Sequence, residues 1–158
     1  MPINLIQSIR RSSLSAMIVA FAFTAVDASA TPKLSEGMYR VDWNRKVRDL
    51  CIDKYTNDDL TARDWQGVMA AIGPLCTLSN VKEGRSAASW VGHCNQPWLG
   101  RVINTEHRVR VKTNTDGSFD IVTVISGDPQ ATIPIRGVPL KGDAAKCQAD
   151  SAFFRPWQ

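Results

Sequence analysis

Residues 101–126 read RVINTEHRVRVKTNTDGSFDIVTVIS. Apolar and polar side chains alternate along Arg101–Thr113, the two-residue period of a half-buried strand. Asn114-Thr115-Asp116-Gly117 interrupts the alternation, and Asp116-Gly117 is a strong hairpin signal. Ser118–Ser126 then returns with the same period. Two strands joined by so short a turn run antiparallel, so the domain is predicted to grow from a hairpin. Arg108, Arg110 and Lys112 fall on one face of the first strand, His107, Val109 and Val111 on the other. The cationic face could meet an anionic partner. The plainer reading is the solvated side of a strand whose other side is core. A three-residue loop would set Lys112 opposite Asp120 and neutralise part of that strip.

The flanks extend the same pattern. Downstream, ATIPIRGVPL (131–140) contains Pro134 and Pro139, which predicts an edge strand or an irregular return. The tail DSAFFRPWQ brings back aromatic residues that could cover an open end of the sheet. Upstream, CTLSNVKEGRSAASWVGHC (76–94) folds on itself at Gly84–Arg85, with Lys82–Ser86 as the turn. Asn95-Gln96-Pro97-Trp98 reads as a loop. There Trp98 would be either an exposed binding anchor or a lid over the core.

YTNDDLTARDWQGVMAAIGP (55–74) predicts one helix over about 57–72. Thr56 or Thr61 caps it, with Asp59 or Asp64 three residues on. Asp58 and Asp59 suit the positive start of its dipole. Trp65, Val68, Met69 and Ile72 form its apolar stripe, and Gly73-Pro74 ends it. Gly37–Trp43 and Val47–Ile52 complete the strands. The expected fold is mainly β (α+β): a single antiparallel, strongly curved sheet or partial barrel of about six strands with one helix.

All four cysteines, Cys51, Cys76, Cys94 and Cys147, lie beyond residue 30. None forms a C-x-x-C pair, so two disulfides are expected. Four cysteines allow three connectivities. The hairpin favours Cys76–Cys94, which leaves Cys51 with Cys147. His93 beside Cys94 then points to the opposite face. A bonded Cys94 is no nucleophile, and no metal site or cofactor is expected.

The first thirty residues bound the location. Arg10 and Arg11 precede the apolar run Leu14–Val26, and Ala28-Ser29-Ala30 resembles a signal-peptidase site. The run falls short of the roughly 20 residues a membrane span needs. A signal peptide (1–30) and a single domain (31–158) in the periplasm or outside the cell are therefore expected, with no stable membrane anchor after cleavage. The whole chain carries +4. Arg10, Arg11 and Asp27 account for +1, leaving +3 on residues 31–158. That excess is mild, and export argues against nucleic acid as a partner.

The order of a signal peptide, Gly37-Met38-Tyr39, a helix-leading Cys51, Cys76, Trp90-Val91-Gly92-His93-Cys94 and a late Cys147 resembles a domain-of-unknown-function family. Its members are small secreted or periplasmic proteins of Gram-negative bacteria. Ile52-Asp53 departs from the family's usual Leu-Thr, and the tail after Cys147 is longer and more aromatic. The resemblance implies export and a disulfide-bonded β-rich fold, and it carries no activity.

No G-x-S-x-G or phosphate loop is present, so catalysis is not expected. Trp43, Trp90, Trp98, Phe153, Phe154 and Trp157 around a curved sheet favour a small apolar or amphipathic ligand. The alternative is an interaction module for an envelope protein, presenting Trp98 and the Arg108/Arg110/Lys112 strip.

Overall fold

The computed structural model describes residues 31–127 and 130–157; the expected signal peptide lies outside them. In chain order the elements are β1 (Gly37–Trp43), β2 (Lys46–Ile52), α1 (Lys54–Asp59), α2 (Ala62–Ala71), β3 (Leu75–Glu83), β4 (Ala87–Trp98), β5 (Arg101–Thr113), β6 (Phe119–Gly127) and β7 (Ala131–Pro139). A short 3-10 turn follows at Gly142–Ala145. The strands form one antiparallel sheet in the order β2-β1-β7-β6-β5-β4-β3. It is an open sheet of seven strands, not a closed barrel.

Alternation assigns the two faces. Tyr39, Val41, Leu50, Val109, Val111, Phe119, Ile121 and Ile135 are buried on the inner face with Trp90. Arg40, Arg108, Arg110, Lys112 and Arg136 stand on the outer face. Burial of the apolar set at about 25 cal/mol per Å² is the main stabilising contribution. Between β2 and β3 the chain crosses from one edge of the sheet to the other. Both helices lie in that crossing, and Trp65 of α2 packs on Trp90 and His107 of the inner face.

The single expected helix is two. Asp53 caps α1 and forms a capping box with Thr56. Thr61 adopts extended backbone and caps α2, its hydroxyl accepting from the Asp64 N–H at 3.1 Å. Between them Leu60 is fully buried. The break allows Leu60 and Trp65 to face the core together. Asp58 and Asp59 consequently end α1 rather than starting a helix. Ile72, placed on the apolar stripe by sequence, is exposed beyond α2.

Two other expectations change for one reason. β7 is central, not an edge, despite Pro134 and Pro139. β1 pairs with β7 only as far as Trp43↔Ile135, and β6 ends at Phe119↔Gly137. Strand backbone groups alternate in direction. Pro134 therefore lacks its N–H where β1 has ended, and Pro139 where β6 has ended. Likewise Asn95–Trp98 is no loop but the end of β4, paired as far as Trp98↔Arg101. β3 stops at Leu75↔Asn95, so Pro97 has a single neighbouring strand. The turn shrinks to Leu99 and Gly100, both with positive φ.

Cys76 lies opposite Cys94 across β3–β4 and is bonded to it; Cys51 is bonded to Cys147. This is the pairing the hairpin argument favours. The tail then covers the β2 edge. The Cys51 N–H donates to Ala152 O at 2.7 Å and the Phe154 N–H to Cys51 O at 2.9 Å. Phe154 is fully buried against Phe119 and Trp43.

Candidate functional site: a cleft under the first hairpin

The helices leave part of the inner face of β1–β2 uncovered. Register sets Lys46 opposite Trp43, Arg48 opposite Val41 and Leu50 opposite Tyr39, all on that face. The tail passes alongside as Ala152, Phe153 and Arg155. Together with Asn44 these residues, Tyr39 excepted, line a cleft of about 600 Å³. Its floor is Val41, Trp43 and Leu50, its far wall Phe153. Lys46 and Arg48 stand at the rim, and no lining residue is acidic.

The three cations of the cleft are not equivalent. Arg155 is committed to the protein: it donates to both Asp53 carboxylate oxygens at 2.8 and 2.9 Å and lies 3.9 Å from Asp59. This bidentate pair holds the Asp53 carboxyl well below the usual carboxylate range and raises the Arg155 guanidinium. Burial pushes the Asp59 carboxyl up, against the pull of Arg155. Lys46 and Arg48 make no ion pair or side-chain hydrogen bond among the described residues. Their charge is available to a ligand.

The expected strip of Arg108, Arg110 and Lys112 does share the outer face. Asp120 sits opposite Lys112, yet it accepts from Asn114 at 3.2 Å and pairs with Arg136 at 3.6 Å. Arg108 binds Glu106 at 2.6 Å. A shallow groove of about 440 Å³ runs here over Val91, Val122 and Val124, flanked by Lys82, Arg108 and Arg110. The backbone of Trp98 lies at the distant end of β4; its side chain is outside the described residues.

Three adjacent strands also bring Ser79, His93 and Glu106 into line on the outer face. His93 Nε2 is 3.4 Å from the Ser79 hydroxyl, and Nδ1 is 3.7 Å from Glu106. Both exceed the 2.6–3.2 Å over which a base activates a nucleophile. The Glu106 carboxylate is held more closely by Arg108, and the His93 side chain is 54 % exposed. The three side chains form a loose surface array. His107 instead faces inward, its ring against Trp65 and 3.0 Å from the Thr105 hydroxyl, and burial lowers its pKa. Among the described residues no three His, Cys, Asp or Glu side chains converge as metal ligands do.

Sequence reasoning singled out Trp43 and Phe153 but not Lys46, Arg48, Leu50 or Arg155. The signal was present, since Lys46, Arg48, Leu50 and Ile52 alternate on one face. No protein-family model, curated protein or solved structure matches this chain. Two disulfides suit an oxidising, exported environment. Among the described residues no helix is long and apolar enough to cross a membrane.

Proposed function

We propose that this is an exported, non-catalytic binding protein whose cleft under the β1–β2 hairpin takes a small amphipathic ligand with an anionic head. One observation carries the reading: an apolar floor of Val41, Trp43 and Leu50 lies beside two uncompensated cations, Lys46 and Arg48, with no acid in the lining. The volume falls within the roughly 300–1,000 Å³ of small-molecule sites. Signal-like residues 1–30 and the disulfides support a periplasmic or secreted location.

Calorimetric titration tests this with dodecanoate and, as the charge control, dodecyltrimethylammonium. Dodecanoate is expected to bind more tightly, and Lys46→Glu/Arg48→Glu to weaken it at least about tenfold, one charged hydrogen bond's worth. Equal binding of the two amphiphiles, or an unaffected double variant, overturns the proposal.

A second reading rests on the outer groove. Its valine floor and the cations Lys82 and Arg110 suit an acidic segment of an envelope protein. Charge reversal at Arg108 and Arg110 would then abolish recovery of that partner, and unchanged recovery would dispose of the idea.

A further inference from the structure

We infer that the tip of the β1–β2 hairpin docks the protein on anionic lipid bilayers, with the cleft mouth facing the membrane. The inference rests on the cleft reading above, and the tip supplies its own observations. Residues 40–49 hold four cations (Arg40, Arg45, Lys46, Arg48) against two carboxylates (Asp42, Asp49). That is a surplus of +2 out of the +3 on residues 31–158. Asp49 is fully engaged by Arg40 through two contacts of 2.9 and 3.0 Å. Asp42 accepts from the Arg45 backbone N–H at 2.9 Å. Arg45, Lys46 and Arg48 are exposed, and none has an ion pair among the described residues.

The turn is made by Asn44 (φ 50) and Arg45 (φ 70). Such two-residue turns favour glycine at the second position. An arginine there, at a conformational cost, projects a cation from the outermost point of the hairpin. Val47, two residues on and on the outer face opposite Asp42, is 59 % exposed, while Trp43 of the cleft floor is half-buried on the other face. A protruding tip of three free cations and an apolar side chain has the chemistry of an interfacial anchor: cations attract anionic headgroups and an apolar group enters the headgroup boundary. A bilayer is favoured over an acidic protein because the tip is convex, and because the amphiphile proposed for the adjoining cleft partitions into bilayers.

Flotation of the processed protein, residues 31–158, with vesicles tests this, using phosphatidylglycerol–phosphatidylcholine vesicles against pure phosphatidylcholine. Arg45→Asn removes a cation with a residue that tolerates the left-handed conformation, and Val47→Asp opposes insertion. Neither residue lines the cleft. The expected result is association with anionic vesicles only, reversed by high salt. It should fall about fivefold on Arg45→Asn and further on adding Val47→Asp, while dodecanoate affinity stays unchanged. Equal association with neutral vesicles, none with anionic ones, or full association of the double variant overturns the inference. Vesicle association without dodecanoate binding would uphold docking and remove the ligand reading.

Discussion

Replacing Gly92 by alanine tests how α2 is seated on the sheet. Gly92 lies on the inner face of β4 opposite His107. A Cβ there would fall 2.6 Å from Trp65 Cζ3 and closer still to Cη2. Carbon atoms in contact sit about 3.5–4.0 Å apart, so the ring must retreat by roughly 1–2 Å. It has no room. Trp65 is 2 % exposed and packed against Trp90 and His107, with ring centroids 6.2 and 5.9 Å away. The whole helix must shift, and overpacking of this kind costs about 1–3 kcal/mol. We expect about 2–3 kcal/mol, because two ring carbons obstruct the new methyl group. Glycine inside a strand is otherwise about 0.5–1 kcal/mol less stable than alanine, so the sign is diagnostic. Urea unfolding followed by circular dichroism gives each value. Trp65→Ala alone should cost about 3–5 kcal/mol. In that background Gly92→Ala should become neutral or stabilising. A Gly92→Ala cost below about 0.5 kcal/mol, or strict additivity of the two changes, would refute this packing argument.

Two further outcomes follow from the tail and the cross-links. Cys51–Cys147 spans 96 positions and Cys76–Cys94 spans 18. On the chain-entropy account these contribute about 5 and about 3 kcal/mol. Cys51→Ala/Cys147→Ala should therefore destabilise more than Cys76→Ala/Cys94→Ala in urea, and the reverse order would show that loop length does not govern here. Asp53 is depressed in the folded state by Arg155 and by the Thr56 N–H and hydroxyl. Its stabilising contribution is full above the unfolded carboxylate pKa of about 3.9 and is lost as pH falls towards the lower folded value. Thermal unfolding between about pH 5 and pH 2 should thus fall more steeply for the native protein than for Asp53→Asn; parallel curves would rule out Asp53 as the titrating group.

The central hairpin was legible because each of its signals is local. Alternation in 101–126 sets which side chains face inward, and Asp116-Gly117 marks the turn; Gly117 has φ 83 and Asp116 accepts from the Ser118 N–H at 2.9 Å. The Cys76–Cys94 pairing was legible for the same reason. What failed depended on distant partners. Whether Pro134 may sit in a central strand depends on where β1 stops, which β7's own sequence does not contain. The break at Leu60–Thr61 is fixed by what α1 and α2 must bury, and Glu83 of β3 accepts the Ala62 N–H at 3.0 Å to support the second helix. The cleft was the least legible feature. Its floor is an ordinary strand face, and it becomes a cavity only because the tail lies beside it and the helices do not reach it.

The sheet's two edges explain why the tail is there. An exposed strand edge is a template for unwanted pairing. At β3 the protein interrupts the edge with a register shift between Ser79 and Lys82, with Asn80 at φ 52 and a lysine beyond it. β2 has no such interruption. Its edge is instead met by the tail, held by the Cys51–Cys147 bond, two backbone hydrogen bonds, buried Phe154 and the Arg155–Asp53 pair. Trp157 adds a hydrogen bond from its indole to Asp59 O. That segment also forms one wall of the cleft through Ala152, Phe153 and Arg155. Edge protection and cleft formation are therefore one structural act. A substitution in the tail that abolishes ligand binding cannot by itself distinguish loss of a contact from loss of the wall. Lys46 and Arg48 can make that distinction. They line the same cavity, are exposed, and have no intramolecular partner among the described residues. Changing them alters the charge at the mouth while leaving each contact that holds the tail.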